Sequence, residues 1–280
     1  MMNKKAYKRI IPGFGLSFGI TLLYLGFIVI IPLCSLVIFT AGISPGVFLE
    51  TVTRPSVLSS YMVSFSTALA AAVVDAVMGV IIAWVLVRYQ FPGKKLMNGI
   101  IELPFALPTA VAGISLTHLT TDKGWIGKMF HDAFGIDIAY TRLGITVALV
   151  FIGIPFVVRS VEPVLEKMDR GVEEAADMLG AGRTKIFFDI ILPEIAPALF
   201  SGFSLSFARG LGEYGSVVFI AGNKPYETEI APLMILSQLQ EYDYTSATAI
   251  ALVMLIAAFI ILLINSYIQS RSAKITGGMA

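Results

Sequence analysis

The chain has 280 residues, 56% of them hydrophobic and 14% charged, with a formal net charge of +1 and a mean hydropathy of +0.83. A soluble core cannot enclose that much apolar surface, so a water-soluble globular domain is excluded and an integral membrane protein is expected. The charges are sorted by loop rather than gathered in a patch, which points to no nucleic-acid partner, and the single cysteine, Cys34, excludes an internal disulfide or a cysteine metal site.

A hydrocarbon core of roughly 30 Å takes about 20 mostly apolar residues per helix. The sequence supplies that length six times, near 15–39, 61–87, 100–119, 143–163, 195–222 and 247–268. The fold class expected is all-α: one polytopic membrane domain over 1–280, with six transmembrane helices and a cytoplasmic helix-turn-helix over 164–194. The first span follows Lys4, Lys5, Lys8 and Arg9, but its apolar run is too long for a signal-peptide core and lacks a small-x-small cleavage site, so it is expected to stay as a helix. Cys34 inside it reads as packing filler.

The second span carries Asp75. An ionisable residue in hydrocarbon costs roughly 2.5–3.5 kcal/mol on insertion scales, and a hydrogen-bonded structural role is expected for it. The third opens with Glu102-Leu103-Pro104-Phe105-Ala106-Leu107-Pro108-Thr109. Two prolines four residues apart free backbone carbonyls and bend the helix, while Thr109, Gly113 and Ser115 add small polar surface. A broken helix lining a conduit and a kink made for packing both fit. His118 and His131 lack metal-ligand spacing and read as surface residues.

After the fourth span comes a charged loop that crossing a membrane does not require. Leu165, Met168, Val172, Ala175, Ala176 and Leu179 recur at three- and four-residue steps among acidic and basic residues, the pattern of an amphipathic helix. Gly180 supplies a left-handed stop. Arg183 to Ile191 can form a second, more apolar helix, with Pro193 and Pro197 limiting how the fifth span begins. Such an element serves either as a docking surface for a partner or as an interfacial helix on lipid. In the fifth span Arg209 and Glu213 stand four apart on one face amid glycines. They are either a clamp between helices or part of a pathway, joined as pathway candidates by Thr109 and Ser115.

Lysine and arginine fix the orientation. With the N-terminus inside, that side collects Lys4, Lys5, Lys8, Arg9, Arg88, Lys94, Lys95, Arg159, Lys167, Arg170, Arg183, Lys185, Arg271 and Lys274, against Arg54, Lys123, Lys128, Arg142 and Lys224 outside. That bias puts both termini and the 164–194 loop in the cytoplasm. No G-x-x-x-x-G-K-[ST] occurs, so any ATP hydrolysis belongs to another chain, and nothing assembles a catalytic constellation. A secondary anion symporter would use Asp75 or Glu213 as a proton relay and show inverted repeats. No internal repeat is visible.

The spacing Glu174-Ala175-Ala176, three residues to Gly180, then nine to Ile190-Ile191-Leu192-Pro193 resembles the coupling loop of ABC-type importer permeases, E-A-A-x3-G-x9-I-x-L-P. Arg88-Tyr89-Gln90-Phe91-Pro92-Gly93, Leu103 to Gly113, Leu211-Gly212-Glu213-Tyr214-Gly215 and Gln240 to Tyr244 extend the resemblance to the T-type permeases of sulfate/thiosulfate importers. The Gly-Glu-Tyr-Gly stretch is shared with molybdate permeases, which makes molybdate or tungstate the closest competing cargo. The resemblance implies a bacterial inner-membrane subunit that binds no cofactor itself. It implies two ATP-binding-cassette subunits holding ATP and Mg, a related W-type permease and an extracytoplasmic sulfate/thiosulfate-binding protein. It gives Glu174, Ala175, Ala176 and Gly180 the role of fitting a groove on the ATPase, with Ile190, Leu192 and Pro193 completing the motif.

Overall fold

A computed structural model describes residues 14–276 of the chain. Among them twelve helices follow one another and no strand occurs. They are α1 (Phe14–Ala41), α2 (Pro45–Val52), α3 (Pro55–Arg88), α4 (Lys94–Ala106), α5 (Thr109–Thr120), α6 (Trp125–Phe134), α7 (Arg142–Lys167), α8 (Arg170–Met178), α9 (Arg183–Leu211), α10 (Val217–Ile220), α11 (Ala231–Gln240) and α12 (Tyr244–Thr276). Five are long and apolar enough to cross a membrane: α1, α3, α7, α9 and the Tyr244–Tyr267 part of α12. The sixth span is not one straight helix, for α4 and α5 meet at an angle of 113°. Proline explains the break: Leu107, forced out of the helical region by the ring that follows it, is extended at ψ 137°, and Pro108 is too at ψ 130°.

Local chemistry sets the helix ends. Thr141 accepts from the Gly144 N–H at the start of α7, and Asp169 accepts from the Gly171 N–H at the start of α8. Two wide π-turns, Gly26–Ile30 and Phe187–Ile191, each end two residues before a proline, Pro32 and Pro193. A proline inside a helix offers no N–H and crowds the preceding turn, and widening that turn keeps the helix continuous. The fifth span therefore differs from its expected limits. The apolar stretch after Gly180 is not a separate short helix but the beginning of α9, and the helix stops at Leu211 instead of reaching 222.

The centre of the bundle is formed by α3, α7 and α9, each packed on the other two. Glycines set their spacing. A Cβ on Gly79 would stand 2.6 Å from Val157 Cγ1, and one on Gly202 would stand 2.7 Å from Val157 Cα. Small residues let helix backbones approach where lipid supplies no hydrophobic drive between them. Asp75, fully buried, sits at the same junction, its Oδ2 accepting from Ser206 Oγ at 2.5 Å and pressed against Gly153. The expected hydrogen bond is present on that oxygen, while Oδ1 is buried without a partner.

The two larger apolar clusters divide the bundle along its length. One joins Leu86, Ile101, Leu165, Ile186 and Ile191 near the 164–194 segment, and the other joins Val63, Ile145, Leu211, Val217 and Leu233. At the second end Ala139 N–H donates to Thr120 O. Hence the α4–α5 pair, with Ile101 in the first cluster, runs from one end of the bundle towards the other. Nothing from Phe14 to Phe39 on α1 is buried, and Cys34 is exposed there rather than serving as packing. Such a surface suits acyl chains.

Candidate functional site

Within the 164–194 segment the amphipathic helix begins at Arg170, not at Leu165, which still belongs to α7 because Met168 and Asp169 are extended, and the bend between α8 and α9 is closed by a defined hydrogen-bond pattern. Gly180 takes φ +86°, the Ala181 N–H bonds Ala176 O at 3.0 Å, and the Gly180 N–H bonds Asp177 O at 2.9 Å. This is a Schellman cap. It explains the interval from Ala176 to Gly180: the alanine is the third residue from the helix end, and the glycine is the first beyond the cap. The hydrophobic contact that accompanies such caps is also present, since Ala176 and Ala181 both lie against the Leu86–Leu165 cluster. Glu174, Ala175 and Asp177 face outward, and at the tip Met178 and Leu179 are 88% and 90% exposed.

The second half of the motif turns inward. Ile191 is buried, and Ile190 and Leu192 pack on the same cluster. Between the bend and the end of α3 lies a cavity of about 380 Å³ lined by Trp84, Tyr89, Glu173, Glu174, Asp177, Arg183 and Phe187. Arg88, the last residue of α3, pairs with Glu173 and rests 5.5 Å over the Trp84 ring. An apolar tip flanked by carboxylates and held by a rigid cap can enter a groove on another protein.

The pathway candidates fall into a second group. Arg209 Nη1 lies 2.6 Å from Glu213 Oε2, with the carboxylate buried and the guanidinium 39% exposed. The other oxygen, Oε1, accepts from the Ser216 N–H at 3.0 Å and Ser216 Oγ at 3.1 Å. Glu213 thus ties the end of α9 to the start of α10 and satisfies the N–H of Ser216, the residue before that short helix. This loop leans on the second half of the broken span. A Cβ on Gly215 would fall 2.1 Å from Thr109 Oγ1, and one on Gly113 would fall 2.4 Å from Ser216 O. Arg209 and Glu213 are therefore paired and Thr109 abuts the same loop at Gly215, whereas Ser115 lies exposed further along α5.

The opposite end of the bundle is polar. A cavity of about 470 Å³ is lined by Thr120, Asp122, His131, Asp137, Tyr140 and Lys224, and His131 Nδ1 lies 2.9 Å from Asp137 Oδ1. Burial, and then the charge of Glu241, push the Glu229 carboxyl above its ordinary range. Hydrogen bonds from Ser246 hold Asp243 below its ordinary range.

Sequence reasoning missed two parts of these sites, the Arg88–Glu173 pair and the role of Ser216. Arg88 stood as one more positive charge at a span end, with nothing in its spacing to name a partner 85 residues away. The glycine-rich 210–215 stretch did flag a close approach; Gly113, on the other side of the contact, was noted only as a small residue.

A bundle of membrane-crossing helices, one of them broken, with a capped and outward-facing bend at one end, is the architecture of a transport permease. The profile of the family described as "Binding-protein-dependent transport system inner membrane component" matches residues 75–274, and the chain belongs to that family. Within it, the chain is 46% identical over 267 residues to the sulfate transport system permease protein CysT of Escherichia coli strain K12, covering 95% of this chain and 96% of that one. It is also 46% identical over 261 residues to the protein of the same name from Synechococcus elongatus, covering 93% and 94%. Among solved structures, a bacterial alginate ABC transporter in complex with an alginate-bound periplasmic protein superposes with a TM-score of 0.75 at 17% identity, over 92% of this chain and 93% of that one. An amino acid ABC transporter shares the fold more distantly, at a TM-score of 0.56 and 19% identity over 80% and 98%.

Proposed function

We propose that this chain is a permease subunit of an ATP-driven importer of sulfate or thiosulfate, lying in a bacterial inner membrane with both termini and the 164–194 bend in the cytoplasm. The observation that carries the substrate is the 46% identity, over nearly the whole of both chains, to a protein named as a sulfate transport permease. The lysine and arginine bias supports the orientation.

In this proposal α8 and its cap dock on a separate ATPase, two copies of which bind ATP and Mg. A related W-type permease completes the path, and an extracytoplasmic binding protein delivers the anion. ATP binding would close the cassettes, move the bends and open the cavity outward, and hydrolysis would reset it. Arg209 retains a part-exposed guanidinium whose charge Glu213 offsets. A passing dianion would find donors there without a net charge strong enough to hold it.

Two measurements test this function. Purified from membranes, the chain should bring down an ATPase that is lost when Glu174 and Gly180 are changed together; retention of the ATPase by that variant would contradict the docking role. Uptake of labelled sulfate should require ATP and fall in the presence of excess thiosulfate. ATP-dependent uptake of labelled molybdate with no sulfate uptake would transfer the chain to molybdate.

A further inference from the structure

The bend is covalently joined to α7 and α9, and a push on it would be expected to reach those two helices first. The structure adds a third. Arg88 ends α3, its side chain is only 9% exposed, and it pairs with Glu173 on α8, whose side chain is 20% exposed. The same guanidinium lies over the face of Trp84, one turn back on α3. Trp84 in turn meets Phe187 edge to face at 6.1 Å, in the π-turn of α9. One side chain on α3 thereby contacts the first helix of the bend directly and the second through Trp84.

We propose that Arg88 is a positioning residue for transport: it ties α3 to the bend so that motion imposed at α8 is delivered to α3 as well as to α7 and α9. Three features favour a fixed tie over a loose surface pair. Arginine holds a carboxylate and an aromatic face at once through its planar, delocalised charge, which lysine cannot do as well. The pair is largely withdrawn from solvent, where screening is weak. Trp84 is itself packed edge to face on Phe187, so the ring beneath the guanidinium is held in place. α3 can also pass such motion on, because it packs on α7, α9 and α11 and carries Asp75 at the central junction.

The inference rests on the proposed ATP-driven transport, and its test is arranged to separate the two. Removing one partner of a withdrawn ion pair leaves an uncompensated charge and can prevent folding, whereas replacing both with neutral residues does not. The decisive variant is therefore Arg88→Met with Glu173→Gln, in the complete complex reconstituted in liposomes. The double variant should assemble with the ATPase and hydrolyse ATP, yet move about fivefold fewer anions per ATP, within the range expected when a coupling contact is removed. Its loss should be no greater than that of either single variant that assembles.

A second readout does not depend on the cargo. In a Cys34→Ala background, the labelling rate of Thr53→Cys, just before α3 at its far end, should change when ATP is added, and the double variant should shrink that change by a similar factor. An unaltered ratio of anions to ATP and an unaltered response at position 53 would overturn the tie. If the unmodified complex moves no sulfate, the cargo assignment falls, and the response at position 53 still decides the role of Arg88.

Discussion

Glu229 and Glu213 are both buried carboxylates, and their surroundings give them opposite consequences. Glu229 is surrounded by groups that disfavour its charge, namely its own burial and then Glu241. A carboxyl whose folded-state pKa is raised contributes its stability below its unfolded value near 4.5, and that contribution is lost as pH rises through the folded value. Glu229→Gln should therefore raise the melting temperature of the purified protein at pH 7 to 8, with the gain fading towards pH 4.5; a gain that grows on acidification would show the sign to be wrong. Glu213 is instead fully used, by Arg209 on one oxygen and by Ser216 on the other. Glutamine keeps the acceptor for Ser216 but turns its NH2 towards the Arg209 guanidinium, so the ion pair is lost while the Ser216 contacts remain. Glu213→Gln should cost about 1 kcal/mol and Glu213→Ala about 2–3 kcal/mol, measured by thermal unfolding in detergent. Equal losses would mean that the Ser216 contacts contribute nothing.

At the scale of elements, the bend over 170–191 owes its shape to one backbone conformation. Gly180 at φ +86° permits the two hydrogen bonds that close α8, and an L side chain there is strained by roughly 1–2 kcal/mol. Around Gly180 itself a Cβ would meet nothing, so the cost of Gly180→Ala comes from backbone conformation alone. It should appear as faster amide exchange confined to 170–186, with the exchange of α3 and α7 unchanged. Protection lost evenly through the bundle would contradict a local cap. The broken third span follows similar logic. Pro104 and Pro108 announced a bend, but not its 113° angle or the close approach of Gly113 and Thr109 to residues 215–216.

The whole molecule depends on three helices meeting at glycines. Gly79→Ala and Gly202→Ala should each destabilise by about 1–3 kcal/mol, the usual cost of overpacking a filled junction. Both press on Val157, but through different atoms: Gly79 on its side chain and Gly202 on its Cα. Val157→Ala should therefore recover part of the loss in the Gly79 variant and none in the Gly202 variant, a difference that a double-mutant cycle of melting temperatures would read. Equal recovery in both would mean that the helices shift apart as bodies instead of adjusting one side chain. The exposed surface of α1 takes no part in this junction.

The sequence by itself determined that the chain is a helical membrane protein with six apolar segments, because hydrocarbon thickness and backbone hydrogen bonding leave no other way to accommodate such runs. It also determined the cap at Gly180 and the pause at Pro108, since both are rules about adjacent residues. Tertiary structure alone decided that the fifth span begins at Arg183 and ends at Leu211, that Glu213 ties a loop to Ser216, and that Arg88 meets Glu173. Those facts join residues from different segments, or depend on what a neighbouring helix leaves room for, and local periodicity carries no record of either.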